Sequence, residues 1–193
     1  RFLKEPQFIS RQRATSAQRG DAFHKYMLFA DHERACGEPE QEVSRLIEAQ
    51  FLSPEEGSLL RIGEIRAFYR SRLFERMRHA ERVEREFRFM ARLGEEELGG
   101  RLGDIGQDRV TVQGICDLLL YEGDGAVLVD YKTDRTRSPD ELRARHAPQV
   151  LLYARILRQL LDIPVRECLL YSTALSAEIA IDVTEVTRGS GLK

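Results

Sequence analysis

Between residues 109 and 134 the hydrophobic pattern takes the form of two strands and a turn. Two apolar runs, 114–121 and 126–133, flank Glu122-Gly123-Asp124-Gly125. Such runs, bounded by Gly and Asp, predict a β-hairpin. A loop of two residues (123–124) or four (122–125) pairs Tyr121 with Ala126, and the same register sets Asp117 opposite Asp130. Side chains alternate along a strand, so Lys132 shares the face of Asp130. Apart from these three residues the runs carry no charge, which predicts strands that are mostly buried.

Upstream the spacing is helical. Residues 1–15 are expected to form an extended lead-in. From Ser16, a plausible N-cap, apolar Ala22, Phe23, Tyr26, Met27 and Ala30 recur at helical intervals. Residues 38–51 predict a second helix, with Val43, Leu46, Ile47 and Phe51 on one side. Ser53-Pro54-Glu55-Glu56 is a helix start with a capping serine, a proline in the first turn and a glutamate three residues on. One further helix is expected over roughly 62–80, and residues 81–92 alternate as a strand.

The Gly-rich, acidic stretch 93–108 predicts a flexible connection. After the hairpin, Ser138 caps a helix running to about Leu161. Glu141 is expected to complete a capping box, and Pro148 to break or kink the helix near Ala147. Residues 164–174 and 177–183 predict two closing strands, and 188–193 a loose tail. The pattern as a whole predicts an α/β fold of the α+β type: a mixed sheet core with its flanking helix over about 81–185, behind an N-terminal helical layer over about 16–80.

Composition narrows this picture. The 193 residues suit a single domain, residues 1–193, and 42% hydrophobic with 32% charged residues is ordinary for a globular chain. No apolar run approaches the ~18 residues of a membrane span. The opening RFLKEPQF is not a signal peptide and lacks an initiating Met, so the chain is expected to be excised from something longer. Cys36, Cys116 and Cys168 are odd in number and far apart, which predicts a reducing compartment and no disulfide framework. The net charge of −2 does not advertise nucleic acid, but residues 61–92 hold ten Arg against five Glu. That run is read either as a solvated helix face or as a phosphate-tracking surface.

Composition also sharpens the hairpin. Carboxylates directly across a ladder repel, and burial makes this worse. A salt bridge between Lys132 and one aspartate would leave the other unexplained, whereas a bound cation accounts for both. The chain has 26 Arg and four Lys, and Lys132 is the sole lysine between Lys25 and Lys193. An ammonium is a compact charge able to give up a proton, while guanidinium effectively cannot. An arginine-rich chain that keeps lysine here points to chemistry.

Asp117 followed by Asp130-Tyr131-Lys132 on the next strand resembles the PD-(D/E)XK nuclease superfamily. The strings GICDLLL, VDYKTD and QVLLYARIL are similar to the RecB-type nuclease domain, and most of all to the C-terminal nuclease domain of AddA-type helicase–nucleases. The resemblance implies a restriction-endonuclease-like core and a metal-dependent deoxyribonuclease, an exonuclease, processing DNA ends for double-strand break repair by recombination. It implies Asp117, Asp130 and the Tyr131 main-chain carbonyl as ligands of Mg²⁺, for which Mn²⁺ substitutes, and Lys132 as the residue that stabilises the phosphate or activates the water.

On residues alone, His24 reads as a packed histidine. Within Arg19-Gly20-Asp21-Ala22-Phe23-His24, which resembles the family's RG-x-x-x-H segment, it is implied as a further metal ligand. Gln149 and Tyr153, at i and i+4, match the Q-x-x-x-Y element that lines the site: Tyr153 for a phosphate or water, Gln149 to orient the substrate or the lysine. Glu86, in a string resembling R-E-x-P-F with Arg88 where proline is usual, is a secondary candidate.

Three cysteines cannot supply the four ligands of the iron–sulfur cluster held by AddB-like relatives, so none is expected. The implied partners are single-stranded DNA ends, helicase domains of the parent chain and an AddB-like subunit. The implied setting is the bacterial cytoplasm beside the nucleoid, with no membrane. The alternative is a catalytically silent, nuclease-like DNA-binding or assembly module of a helicase complex. A phosphate-binding NTPase is excluded by the absence of G-x-x-x-x-G-K-[ST].

Overall fold

The computed structural model describes residues 7–94 and 109–183, with 7–15 as backbone only. Most of the expected connection over 93–108 and the tail over 188–193 lie outside the described residues. Six helices come first: α1 Gln7–Phe29, α2 His32–Ala35, α3 Pro39–Glu48, α4 Pro54–Leu59, α5 Ile62–Tyr69 and α6 Arg72–His79. Strands β1 Arg82–Leu93, β2 Val110–Glu122 and β3 Gly125–Lys132 follow, then α7 Pro139–Leu160, β4 Val165–Ser172 and β5 Ala177–Ile181. Among the described residues no helix is long and apolar enough to cross a membrane.

The helical layer differs from the sequence reading in three places. The expected extended lead-in is helical from Gln7, so Ser16 lies inside α1 and does not cap it. No Gly or Pro occurs between Gln7 and Arg19, and a helix there needs no apolar stripe of its own once the following turns are packed. The single helix expected over 62–80 is two. Arg70 ends α5, and the Ser71 hydroxyl accepts from Phe74 N at 3.1 Å to start α6. The short α2, capped by Asp31, was not expected. The Ser53–Glu56 capping box forms as read, with both reciprocal hydrogen bonds present (Glu56 N to Ser53 Oγ 3.1 Å, Ser53 N to Glu56 Oε2 2.8 Å).

The sheet runs in the order β1-β2-β3-β4-β5. The first three strands are antiparallel, and Tyr121 pairs with Ala126 as the turn predicts. Hydrogen bonds from Ala126 N to Pro164 O and from Thr173 N to Lys132 O advance together along β3 and β4, so these strands are parallel and the sheet is mixed. The connection they require is α7. Ser138 caps it by accepting from Glu141 N at 3.3 Å, and Glu141 Oε2 accepts from Arg137 N at 3.3 Å. Pro148 does not break α7, which continues to Leu160. Ala144, whose carbonyl loses its helical partner to Pro148, is exposed, so water can satisfy it.

The chain forms two compact units, with β3 and β4 passing from one into the other near their C-terminal ends. One holds the chain up to Arg76 with Tyr131–Thr136 and Ser172–Ala177. The other holds Met77–Asp130, Arg137–Tyr171 and the chain from Glu178.

The first unit is organised around a buried polar chain. His32 Nε2 lies 3.0 Å from the Met27 carbonyl, which can only accept, so Nε2 donates. In the neutral ring Nδ1 then accepts from Tyr69 OH at 3.0 Å, and Tyr69 OH in turn accepts from Tyr26 OH at 3.1 Å. Burial raises the pKa of both tyrosines, keeping them protonated donors. Phe68 and Phe74 close over the imidazole. Nearby, buried Glu42 accepts from Arg45 at 2.6 and 2.8 Å and from Asp31 N at 2.7 Å. Burial alone would raise its pKa, but these hydrogen bonds and the Arg45 charge outweigh it and hold the carboxyl below its ordinary value.

Two outcomes follow. Tyr69→Phe strands the His32 Nδ1 acceptor and removes the partner of Tyr26. It should lower stability by about 1–3 kcal/mol in urea denaturation. Glu42 has a depressed folded-state pKa, so its stabilisation is present above the ordinary carboxylate range of ~4.3 and is lost as pH falls through the folded value. The stability gap between the parent and Glu42→Gln should therefore be widest near neutrality and close in acid.

Candidate active site

The hairpin register bears on both aspartates. The β2–β3 ladder runs from Glu122↔Gly125 to Leu118↔Val129, and Asp117 and Asp130 are the residues that follow its last pair on the two strands. On the other side of β2 the ladder pairs Arg85 with Leu118 and Phe87 with Cys116 but skips the step between them, where Glu86 faces Asp117. Glu86 holds φ 48°, in the left-handed region that costs a non-glycine residue roughly 1–2 kcal/mol. By register, Glu86, Asp117 and Asp130 occupy a row of positions on three neighbouring strands, Glu86 at the step the β1–β2 ladder omits and the two aspartates just past the last β2–β3 pair. Asp130 is buried, while Asp117 and Glu86 are half-buried.

The local electrostatics bear the marks of this row. Cys116, beside it in β2, is buried, and burial together with the charges of Asp117 and Asp130 pushes its thiol well above the ordinary range. The residue is 2% exposed and packs in the core. Asp130 Oδ2 is buried and accepts no hydrogen bond, although the residue as a whole is engaged by its surroundings. An Arg88 Nη2 to Glu86 Oε2 pair at 3.5 Å lies at the β1 end of the row.

Beyond Asp130, β3 enters the helical unit, and α1 grips it there. Arg19 Nη2 donates to the Thr133 carbonyl at 2.7 Å. A Cβ on Gly20 would fall 3.1 Å from Thr133 Oγ1, so the helix approaches this closely because residue 20 has no side chain. One turn on, the rings of Phe23 and His24 lie edge-on to buried Tyr131, with centroids 5.8 and 6.1 Å away. Phe68 adds a third ring at 6.0 Å. The Lys132 carbonyl accepts from Thr173 N at 3.0 Å, which fixes the backbone while the half-buried side chain stays accessible. In the sequence Arg19 and Gly20 stand out only as neighbours of His24. Their roles as anchor and close-approach site become readable from the contacts.

On α7, Gln149 Nε2 donates to Tyr153 OH at 3.2 Å, as their i, i+4 spacing allows. The Tyr153 ring meets Phe89 of β1 edge-on at 4.9 Å. Phe89 pairs with Gly114, three residues along β2 from Asp117.

Among the described residues no three His, Cys, Asp or Glu side chains converge as a ready-made metal cluster. The donor set nevertheless fits a hard divalent cation. Mg²⁺ keeps several waters and takes one or two carboxylates, so the facing aspartates suffice without a closed cage.

Gly20 gives a direct check on the α1 grip. Gly20→Val should lower the melting temperature, because its side chain meets Thr133. Gly63→Ala, in a helix with open space around its Cβ, should raise it slightly. Equal effects in thermal melts would contradict the close approach.

Comparison with known proteins shows the family to which the chain belongs. A family profile described as the PD-(D/E)XK nuclease superfamily matches residues 2–179. Bacterial proteins named as the A subunit of an ATP-dependent helicase/nuclease are similar along most of the chain. The one from Desulforamulus reducens is 32% identical over 170 residues, 86% of this chain and 14% of its own length. That from Geobacillus kaustophilus is 33% identical over 181 residues, 88% of this chain and 15% of its own. That from Clostridium botulinum (strain Loch Maree) is 30% identical over 185 residues, 93% of this chain and 14% of its own. The chain thus spans about one-seventh of the length of these relatives.

Proposed function

The chain belongs to the PD-(D/E)XK nuclease superfamily, and from that premise we propose that it is a Mg²⁺-dependent deoxyribonuclease acting exonucleolytically on single-stranded DNA ends. In this reading it is the nuclease part of an AddA-type helicase–nuclease, working with helicase domains of its parent chain and an AddB-like subunit. Its task is the processing of double-strand breaks for recombination in the bacterial cytoplasm. The observation that carries the reading is the hairpin register, whose last pair Leu118↔Val129 leaves Asp117 and Asp130 as the next residues on the two strands, with Lys132 two residues further along β3.

Each residue has a distinct task. Asp117, Asp130 and the Tyr131 carbonyl supply oxygen ligands. His24 is assigned as the nitrogen ligand on the family resemblance. When bound, Mg²⁺ or Mn²⁺ makes water nucleophilic at neutral pH and offsets charge on the phosphate. Lys132 presents its ammonium to the phosphate oxygens, where charge grows as the P–O bond breaks. Gln149 holds Tyr153 OH as an acceptor, which leaves the phenolic proton free to donate to a phosphate. Glu86 is a reserve carboxylate at the end of the row.

The test separates binding from rate. Lys132→Ala should keep Mn²⁺ affinity by calorimetry and lose roughly 10²-fold or more in cleavage of single-stranded DNA. Asp117→Asn should lose both metal binding and cleavage. A Lys132→Ala protein that cuts at the parental rate, or a parent that cuts fully in excess chelator, would sink the reading.

A further inference from the structure

A groove of about 650 Å³ opens beside the carboxylate row within the sheet unit, lined by Arg88, Phe89, Met90, Gln113, Ile115 and Tyr153. Met90 is 61% exposed and Ile115 43%, large apolar side chains left in water. The β1–β2 register pairs Arg88 with Ile115 and Met90 with Gln113, so the four form one continuous patch. Its end wall is aromatic: Phe89 and Tyr153 in edge-to-face contact at 4.9 Å. That wall depends on Gly114, since a Cβ there would fall 2.3 Å from Phe89 Cζ. The Phe89 ring occupies the space a side chain at 114 would need.

We propose that this groove is a base-binding slot for single-stranded DNA, seating a base next to the phosphate held at the carboxylate row. The proposal rests on the nuclease reading, single-strandedness included, and adds to it the place where one base is gripped. Apolar and aromatic walls suit the π-face that every base presents, and such contacts are tolerant of sequence. The Gln113 amide offers both a donor and an acceptor to a base edge. Arg88, with a side chain 75% exposed, stands at the rim, and exposed Arg92 follows Met90 at the next position on the same strand face. Two guanidinium groups flanking an apolar slot complement a base carried on phosphates, and they do not complement an apolar or basic protein segment. Ile115 is two residues from Asp117, about 7 Å along the strand. That interval is close to the spacing of successive phosphates in an extended single strand. A paired and stacked base could not enter, so the slot selects unpaired ends.

The test uses the whole chain and short fluorescein-labelled single-stranded oligonucleotides in chelator, so that binding is read without cleavage. One base at a time is replaced by an abasic residue. The parent should bind on the order of ten-fold more weakly when the missing base falls at one particular position. Ile115→Asp and Met90→Ser should weaken the intact oligonucleotide by a similar factor and lose that position dependence, with unchanged circular-dichroism melts. Uniform binding of the parent across the abasic series overturns the slot, while metal-dependent cleavage by the same preparation would leave the nuclease reading standing. Parental affinity in both variants also overturns it, and so does a change in oligomeric state by light scattering without a change in DNA affinity, which would make the groove a self-interface. Position-dependent binding by a chain that fails to cleave would support the slot and count against the nuclease reading.

Discussion

The register of the β2–β3 hairpin is the constraint on which the rest depends. A slip of one residue would turn every side chain on β3 to the other face. The buried residues of β3, from Gly125 to Tyr131, forbid that slip, because the apolar side chains on both faces are already packed. The hydrophobic effect therefore sets the register, and the register brings Asp117 and Asp130 next after its last pair. Neither aspartate chooses its position by its own energetics. Repulsion between them opposes the fold, and burial of Leu118, Leu119, Leu120, Val127, Leu128 and Val129 overcomes it.

Strain collects around the same point. Glu86 takes a left-handed backbone at the one missing step of the β1–β2 ladder, beside Asp117. Outliers of this kind persist where the surroundings over-determine them, and they cluster at functional sites. The Phe89–Gly114 contact, three residues along, is a second irregularity in the same pair of strands.

The helical unit contributes rigidity of a different sort. Its hydrogen-bond chain from Tyr26 through Tyr69 and His32 to the Met27 carbonyl satisfies every polar group it buries and ties α1, α2 and α5 together. A fully satisfied buried network has one low-energy arrangement, which specifies the packing as well as stabilising it. The same α1 grips Tyr131–Thr133 through Arg19, Gly20 and Phe23, so the backbone next to Asp130 is held by main-chain and ring contacts.

Much of this was legible without coordinates because it is local. Two apolar runs and a Gly-rich turn determine a hairpin and its register, and with them the pairing of Tyr121 with Ala126. Serine, proline and glutamate at fixed intervals determine the start of α4, and an i, i+4 spacing determines the Gln149–Tyr153 bond. What local pattern could not decide was anything settled by a distant partner. The helical state of 7–15 and the continuation of α7 past Pro148 to Leu160 go against the local rule, because packing and solvation elsewhere override a weak propensity. Gly20 and Gly114 look alike in sequence to any other glycine. Only tertiary structure shows that a threonine hydroxyl and a phenylalanine ring stand where their side chains would have been.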